Sequence, residues 1–168
     1  KIYIDKFLSI FDKSNKVVLI DNYFHPNDLV RLSLNLGQIP RVYNEFYKKI
    51  DLPQMDKTYR EKLNFYNSSN KFEEFLFNNL SMSLPISFLE GFEKIIKEAN
   101  KIKIKTNLVI TGNANFPTEL CKFWCALQSE KKINIILNEH GGSIPTKYRY
   151  YDIHDKIFTN QISWSREK

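Results

Sequence analysis

The residues of this chain best suited to chemistry are His140, Gly141, Gly142 and Ser143, with Glu139 just before them. A free imidazole titrates near neutral pH and can take a proton from a hydroxyl. Two glycines after it tolerate positive φ and let backbone N–H groups approach an anion closely, and Ser143 adds another N–H. Glu139 would orient the ring or raise its pKa, although neighbours on an extended segment point to opposite sides. A second polar stretch is Thr111-Gly112-Asn113-Ala114-Asn115, with Pro117 near a first helical position. Unpaired N–H groups at such a helix start suit a phosphate or a sugar hydroxyl, and Asn113 and Asn115 are the candidate contacts. The stretch is neither GxGxxG nor the Lys-bearing phosphate loop. Lys147, in a run of Tyr and basic residues to Tyr151, is a third candidate for a sugar or anionic group. The bland alternatives are a loop histidine satisfied by backbone and a Tyr-rich run that only covers a sheet edge.

Two short apolar runs must position these loops. Asn107–Gly112 (NLVITG) and Ile133–Asn138 (INIILN) bracket a helical pattern, which describes a strand–helix–strand unit with parallel, doubly buried strands. In open parallel sheets ligands bind where loops leave the carboxyl ends of strands, and the His140 loop leaves such an end. The intervening helix turns Leu120, Phe123, Trp124 and Leu127 inward. Its Glu119 sits in the first turn, where the helix dipole favours a carboxylate. Val17-Val18-Leu19-Ile20 reads as another buried strand ending at Asp21-Asn22, and Ile157, Phe158, Ile162 and Trp164 suggest one more. The pattern predicts a single α/β domain over 1–168, a parallel sheet flanked by helices with a helix-rich first half.

The remaining segments read as helices. Ile4, Phe7, Leu8 and Phe11 have helical spacing. Asn27 is expected to cap a helix through Leu36 that Gly37 ends, and His25 to make a local loop hydrogen bond. Phe46, Tyr47 and Ile50 suggest a short helix between Pro40 and Pro53, followed by another from Asp56 to Phe65. From Asn70 onward, Phe72, Phe75, Leu76, Asn79 and Leu80 share one face. Pro85 then opens a helix with Phe88, Leu89, Phe92, Ile95, Ile96 and Ala99 in a stripe. Aromatic stripes at this spacing read as core, and Glu90 and Glu93 as solvated carboxylates.

Composition narrows the classes. The net charge of +6 is mostly scattered, and the one dense basic patch, Lys97 to Lys105, lacks interleaved aromatics, which argues against nucleic acid. No run reaches the length of a membrane span, and the first residues lack a signal-peptide cleavage site. A cytoplasmic location is expected, with peripheral contact at an anionic membrane face compatible with the charge. Cys121 and Cys125 read as buried thiols of a reducing compartment; no second Cys pair or spaced His completes a metal site, and no cofactor is expected. The chain begins without Met, as a segment of a longer protein would.

At NANFPTELCKFWCA, ILNEHGGS and HDKIFTNQISW the sequence resembles a family of bacterial transferases from surface-polysaccharide and O-antigen gene clusters. The family's acidic helix, Gln-His-Gly-Gly loop and His-Glu…Asp…Trp stretch correspond to Glu119–Trp124, Glu139–Gly142 and His154-Asp155…Asn160…Trp164. VVLIDNYF and LSLNLGQIP are similar to its upstream part. His140 to Pro145 is also similar to the His-Gly-Thr-Pro loop of teichoic-acid glycerophosphotransferases, which have a two-lobed glycosyltransferase-B fold and a histidine thought to activate the acceptor hydroxyl. The resemblance implies one Rossmann-like lobe on the acceptor side, inactive alone, with His140 as base and Glu139 beside it. Its substrates would be a nucleotide-activated sugar or polyol donor, held by a second lobe, and a saccharide or lipid-linked acceptor. Glu139 in place of Gln and Asn160 in place of Asp depart from the pattern. The alternative class is a non-enzymatic basic α/β module that binds nucleic acid or an anionic membrane surface.

Overall fold

The computed structural model describes residues 17–63, 69–112, 118–138 and 160–162. Among the described residues four strands form one sheet in the order β1 (Val17–Ile20), β2 (Leu108–Thr111), β3 (Asn134–Asn138), β4 (Asn160–Ile162), and each pairs in parallel with the next. The two apolar runs of the sequence are thus β2 and β3, and the short segment near the end of the chain adds β4. Register aligns Val18 with Val109 and Ile135, and Ile20 with Thr111 and Leu137. Paired residues share a face, and this face is the fully buried one, whereas Leu108, Ile110 and Ile136 on the other are half-buried. The β-branched side chains that fill it favour strand and remove apolar surface from water together.

By its internal contacts the chain divides into two compact units, one of residues 1–48 with 99–168 and one of residues 49–98. In the first, helix α1 (Pro26–Asn35) follows β1. The expected cap at Asn27 is instead His25, whose Nδ1 accepts the Asn27 N–H at 3.3 Å, with Pro26 in the first turn. Pro26 gives up no useful donor there. The expected local bond of His25 is therefore present. Gly37, at φ +67°, ends the helix. Gln38 then returns to the sheet: its Nε2 donates to the Val17 carbonyl at 2.8 Å and its Oε1 accepts the Val17 N–H at 3.1 Å. A side-chain amide thereby does for Val17 what a neighbouring strand would do. The short helix expected around Phe46 is a 3-10 turn, Asn44–Tyr47, and Ile50 lies beyond it. Buried Phe46 packs on Trp124 with ring centroids 4.9 Å apart.

In the second unit helix α2 (Lys57–Glu61) is capped by Asp56 and helix α3 (Lys71–Ser83) by Asn70, each accepting an N–H three residues on. Helix α4 (Phe92–Lys101), of which residues 92–98 belong to this unit, starts later than Pro85 suggests. Pro85 leads only into a 3-10 turn, Ile86–Phe88; Leu89 leaves helical geometry at φ −121°, ψ −97°, so the stripe is broken. Ile95 and Ala99 are buried, but Phe88 and Phe92 are exposed.

Two expectations fail here. Glu90 is not a solvated carboxylate. Its two oxygens accept from Nε and Nη2 of Arg60 at 2.7 and 2.8 Å, and one also accepts the Asp56 N–H. Arg60, with none of its surface exposed, gives Nη1 to the carbonyls of Ser81 and Leu84 at the end of α3. A guanidinium has no acceptor and five donors, so one Arg can tie α2, the α3 terminus and the turn before α4 together. The second failure is the stripe on α3: Phe72 is 71% and Phe75 66% exposed, and Leu76 and Leu80 are also on the surface. Helical spacing finds a common face but does not say whether anything covers it.

Candidate functional site at the carboxyl edge of the sheet

Because all four strands run parallel, Ile20, Thr111, Asn138 and Ile162 end on one edge. At β1 the chain leaves through Asp21, at φ +45°, a conformation that is uncommon for a residue with a Cβ. Asn22 then accepts the Phe24 N–H through its Oδ1 at 3.2 Å, which folds the loop back and leaves Tyr23 and Phe24 on the surface.

The end of β2 is pressed against this loop. Gly112 donates its N–H to the Ile20 carbonyl at 3.2 Å. A Cβ on Gly112 would lie 2.3 Å from the Asp21 carbonyl oxygen and 2.8 Å from Cε2 of Tyr23, so only glycine fits. Beside it Thr111 is fully buried, and its hydroxyl has no partner among the described residues.

Helix α5 (Glu119–Glu130) follows. Its N-cap Thr118 makes no side-chain capping bond, and Glu119 pairs with Lys122 at 2.8 Å. Of the expected inward stripe, Leu120, Phe123 and Trp124 are buried and Leu127 is half-buried. Cys121, Cys125 and Gln128 are buried as well, so the helix is enclosed over most of its circumference. The two thiols are buried as expected, with sulfurs 4.0 Å apart. Hydrogen bonding to Cys125, then burial, push the Cys121 thiol far up, and the Asp21 carboxylate adds to this. The Tyr47 phenol is raised to about 12 by burial and then by the charges of Asp21 and Cys121. Tyr23 is raised by burial and then by Asp21. Asp21, Tyr23, Tyr47 and Cys121 therefore share one electrostatic neighbourhood at the carboxyl edge.

The residues picked from the sequence for chemistry, Glu139, His140, Gly141, Gly142, Ser143, Lys147, Asn113 and Asn115, lie outside the described residues, as do His154 and the helical pattern of residues 1–12. Chain order sets their starting points: Asn113 follows Gly112, and Glu139 follows Asn138, the last residue of β3. Sequence reasoning missed Gln38, Arg60 and the close contact at Gly112. Arg60 and Glu90 are thirty residues apart with no pattern joining them, and a glycine contact depends on what approaches it. In the second unit an open cleft of about 450 Å³ is lined by Asp51, Leu52, Pro53, Glu90, Glu93, Lys94 and Lys97. Glu90 is committed to Arg60 and Lys94 to the Asp51 carbonyl. Among the described residues no three His, Cys, Asp or Glu side chains group to hold a metal ion, and no helix is long and apolar enough to cross a membrane.

A parallel sheet flanked by helices defines an α/β protein, a class in which ligands bind at the carboxyl edge of the sheet. The model of the LIC12162 family transferase matches residues 1–162, and the chain belongs to that family. It is a transferase, hence an enzyme. No curated protein and no solved structure matches the chain.

Proposed function

We propose that this chain is the acceptor-side, Rossmann-like lobe of a glycosyltransferase-B-type enzyme, which moves a sugar or phospho-polyol group from a nucleotide-activated donor to a hydroxyl in the making of a surface polysaccharide such as O-antigen. One observation carries the reading: β3 lies in an all-parallel sheet and ends at Asn138, so Glu139-His140-Gly141-Gly142 continue directly from its carboxyl end. His140 takes the proton of the acceptor hydroxyl. That oxygen attacks the donor's anomeric carbon or phosphorus, and the bond to the nucleotide phosphate breaks with its electron pair going to the phosphate oxygen. Backbone N–H groups at Gly141, Gly142 and Ser143 balance negative charge, and Asn113, Asn115 and Lys147 bind substrate hydroxyls or phosphate. The donor is held by a second lobe. The site works at the cytoplasmic face of the membrane, where Lys101, Lys103 and Lys105, all exposed on an alternating segment, meet anionic headgroups or the lipid carrier of the acceptor.

In the full-length enzyme, His140→Ala should lower nucleotide release from the donor by about 100-fold or more while the melting temperature stays unchanged. Turnover at the wild-type rate would remove His140 from the mechanism.

A further inference from the structure

We infer that Asp21 and Tyr23 form a subsite for a neutral saccharide, the acceptor of the reaction proposed above, on which this inference rests. Two described residues other than glycine have positive φ, Asp21 and Lys132. Lys132 closes the turn after α5, where its N–H reaches the Ser129 carbonyl, a common use of that conformation. Asp21 ends no helix. It is held by the bond from Gly112 to the preceding carbonyl and by contact of its own carbonyl with the bare Cα of Gly112. Strained backbone of this kind persists only where the surroundings impose it, and it gathers at binding sites. Its result here is an exposed carboxylate at the carboxyl edge of the sheet.

Tyr23 shares the loop of that carboxylate, whose charge also reaches Tyr47. Tyr23, 43% exposed, rests on Gly112 two residues along the same loop. Tyr47, 50% exposed, stands on the 3-10 turn that Phe46 anchors to Trp124 of α5. Both phenols sit in the field of Asp21. A carboxylate accepts two hydroxyl donors at once, and an exposed ring offers its flat face to the C–H side of a pyranose. The combination matches the two-sided chemistry of a sugar. The same negative charge repels a nucleotide phosphate, so this end of the edge takes the uncharged acceptor and not the donor.

The test uses the full-length enzyme and saturation-transfer NMR with methyl glycosides of glucose, galactose, mannose, rhamnose and N-acetylglucosamine as probes. At least one should receive magnetisation from tyrosine protons. Asp21→Asn and Tyr23→Ala should each weaken its binding about tenfold or more. Asp21→Gly guards against misfolding, because glycine suits φ +45° and relieves the strain. It should melt at or above the wild-type temperature and still lose binding. No bound glycoside, or binding indifferent to all three substitutions at Asp21 and Tyr23, overturns the subsite. The two readings fail separately. Transfer whose acceptor KM ignores Asp21 and Tyr23 sinks the subsite alone, and sugar binding lost in those variants without transfer from any nucleotide donor sinks only the transferase mechanism.

Discussion

Replacing Gly112 by alanine puts a methyl group where the structure has no room. The new carbon would stand 2.3 Å from the Asp21 carbonyl oxygen, roughly an ångström short of ordinary contact. A carbonyl on a strained loop cannot rotate away as a side chain can, so the loop must part from β2. Overpacking of this kind costs about 1–3 kcal/mol. Parting also lengthens the bond from the Gly112 N–H to the Ile20 carbonyl, now 3.2 Å, worth about 1 kcal/mol. The total is about 2–4 kcal/mol, or roughly 4–16 °C in melting temperature for a chain of this size. Thermal unfolding followed by circular dichroism reads it directly. Two companions isolate the cause. Gly37→Ala meets nothing within 4 Å and suffers only its φ of +67°, so it should lose about 1 kcal/mol. Adding Tyr23→Ala to Gly112→Ala should not restore stability, since the obstacle is backbone. A Gly112→Ala protein melting within a degree of wild type would refute the close approach, and with it the account of why Asp21 is strained.

Other outcomes follow from single contacts. Arg60, chiefly through its hydrogen bonds and against the opposing effect of burial, holds the Glu90 carboxyl at about 2, below its ordinary 4.5. A depressed carboxyl stabilises the fold above its ordinary pKa, and that contribution fades as pH falls from about 4.5 toward 2; melting temperature against pH should therefore drop more steeply in wild type than in Glu90→Gln, and parallel curves would contradict the pairing. Gln38→Ala leaves both backbone groups of Val17 without their bonds and should cost about 2–4 kcal/mol in urea unfolding; a change under about 0.5 kcal/mol would mean water replaces the amide. Cys121 and Cys125 should ignore a disulfide reagent in the native protein, being buried with the Cys121 thiol held protonated, and both should react after denaturation. Fast labelling without denaturant would show that α5 opens.

How much could be read in advance differs from one feature to the next. Val17–Ile20, Leu108–Thr111 and Asn134–Asn138 stand out in the bare sequence as short, mainly apolar runs, and each is a strand of the parallel sheet, although only Val17–Ile20 is buried throughout, not all three on both faces as expected. The inward residues of α5 were legible for a like reason, since a helix between two such strands has to cover them. The candidate bases and glycines around His140 follow from residue chemistry, and chain order alone puts them after β3.

Local sequence thus determined which segments form the strands and most of the helices, and that the strands run parallel, but not every cap or helix start, as His25 and Phe92 show. Those properties depend on near neighbours and on the apolar pattern, which are written in order along the chain. Only tertiary structure decided that Gln38 completes the edge of β1, that Arg60 and Glu90 are buried partners, that the apolar face of α3 is left bare, and that Asp21 is forced into a strained turn by Gly112. Each joins residues far apart in sequence, or turns on whether a surface meets another, and a hydrogen bond or steric contact depends on distance in space, to which position along the chain is blind.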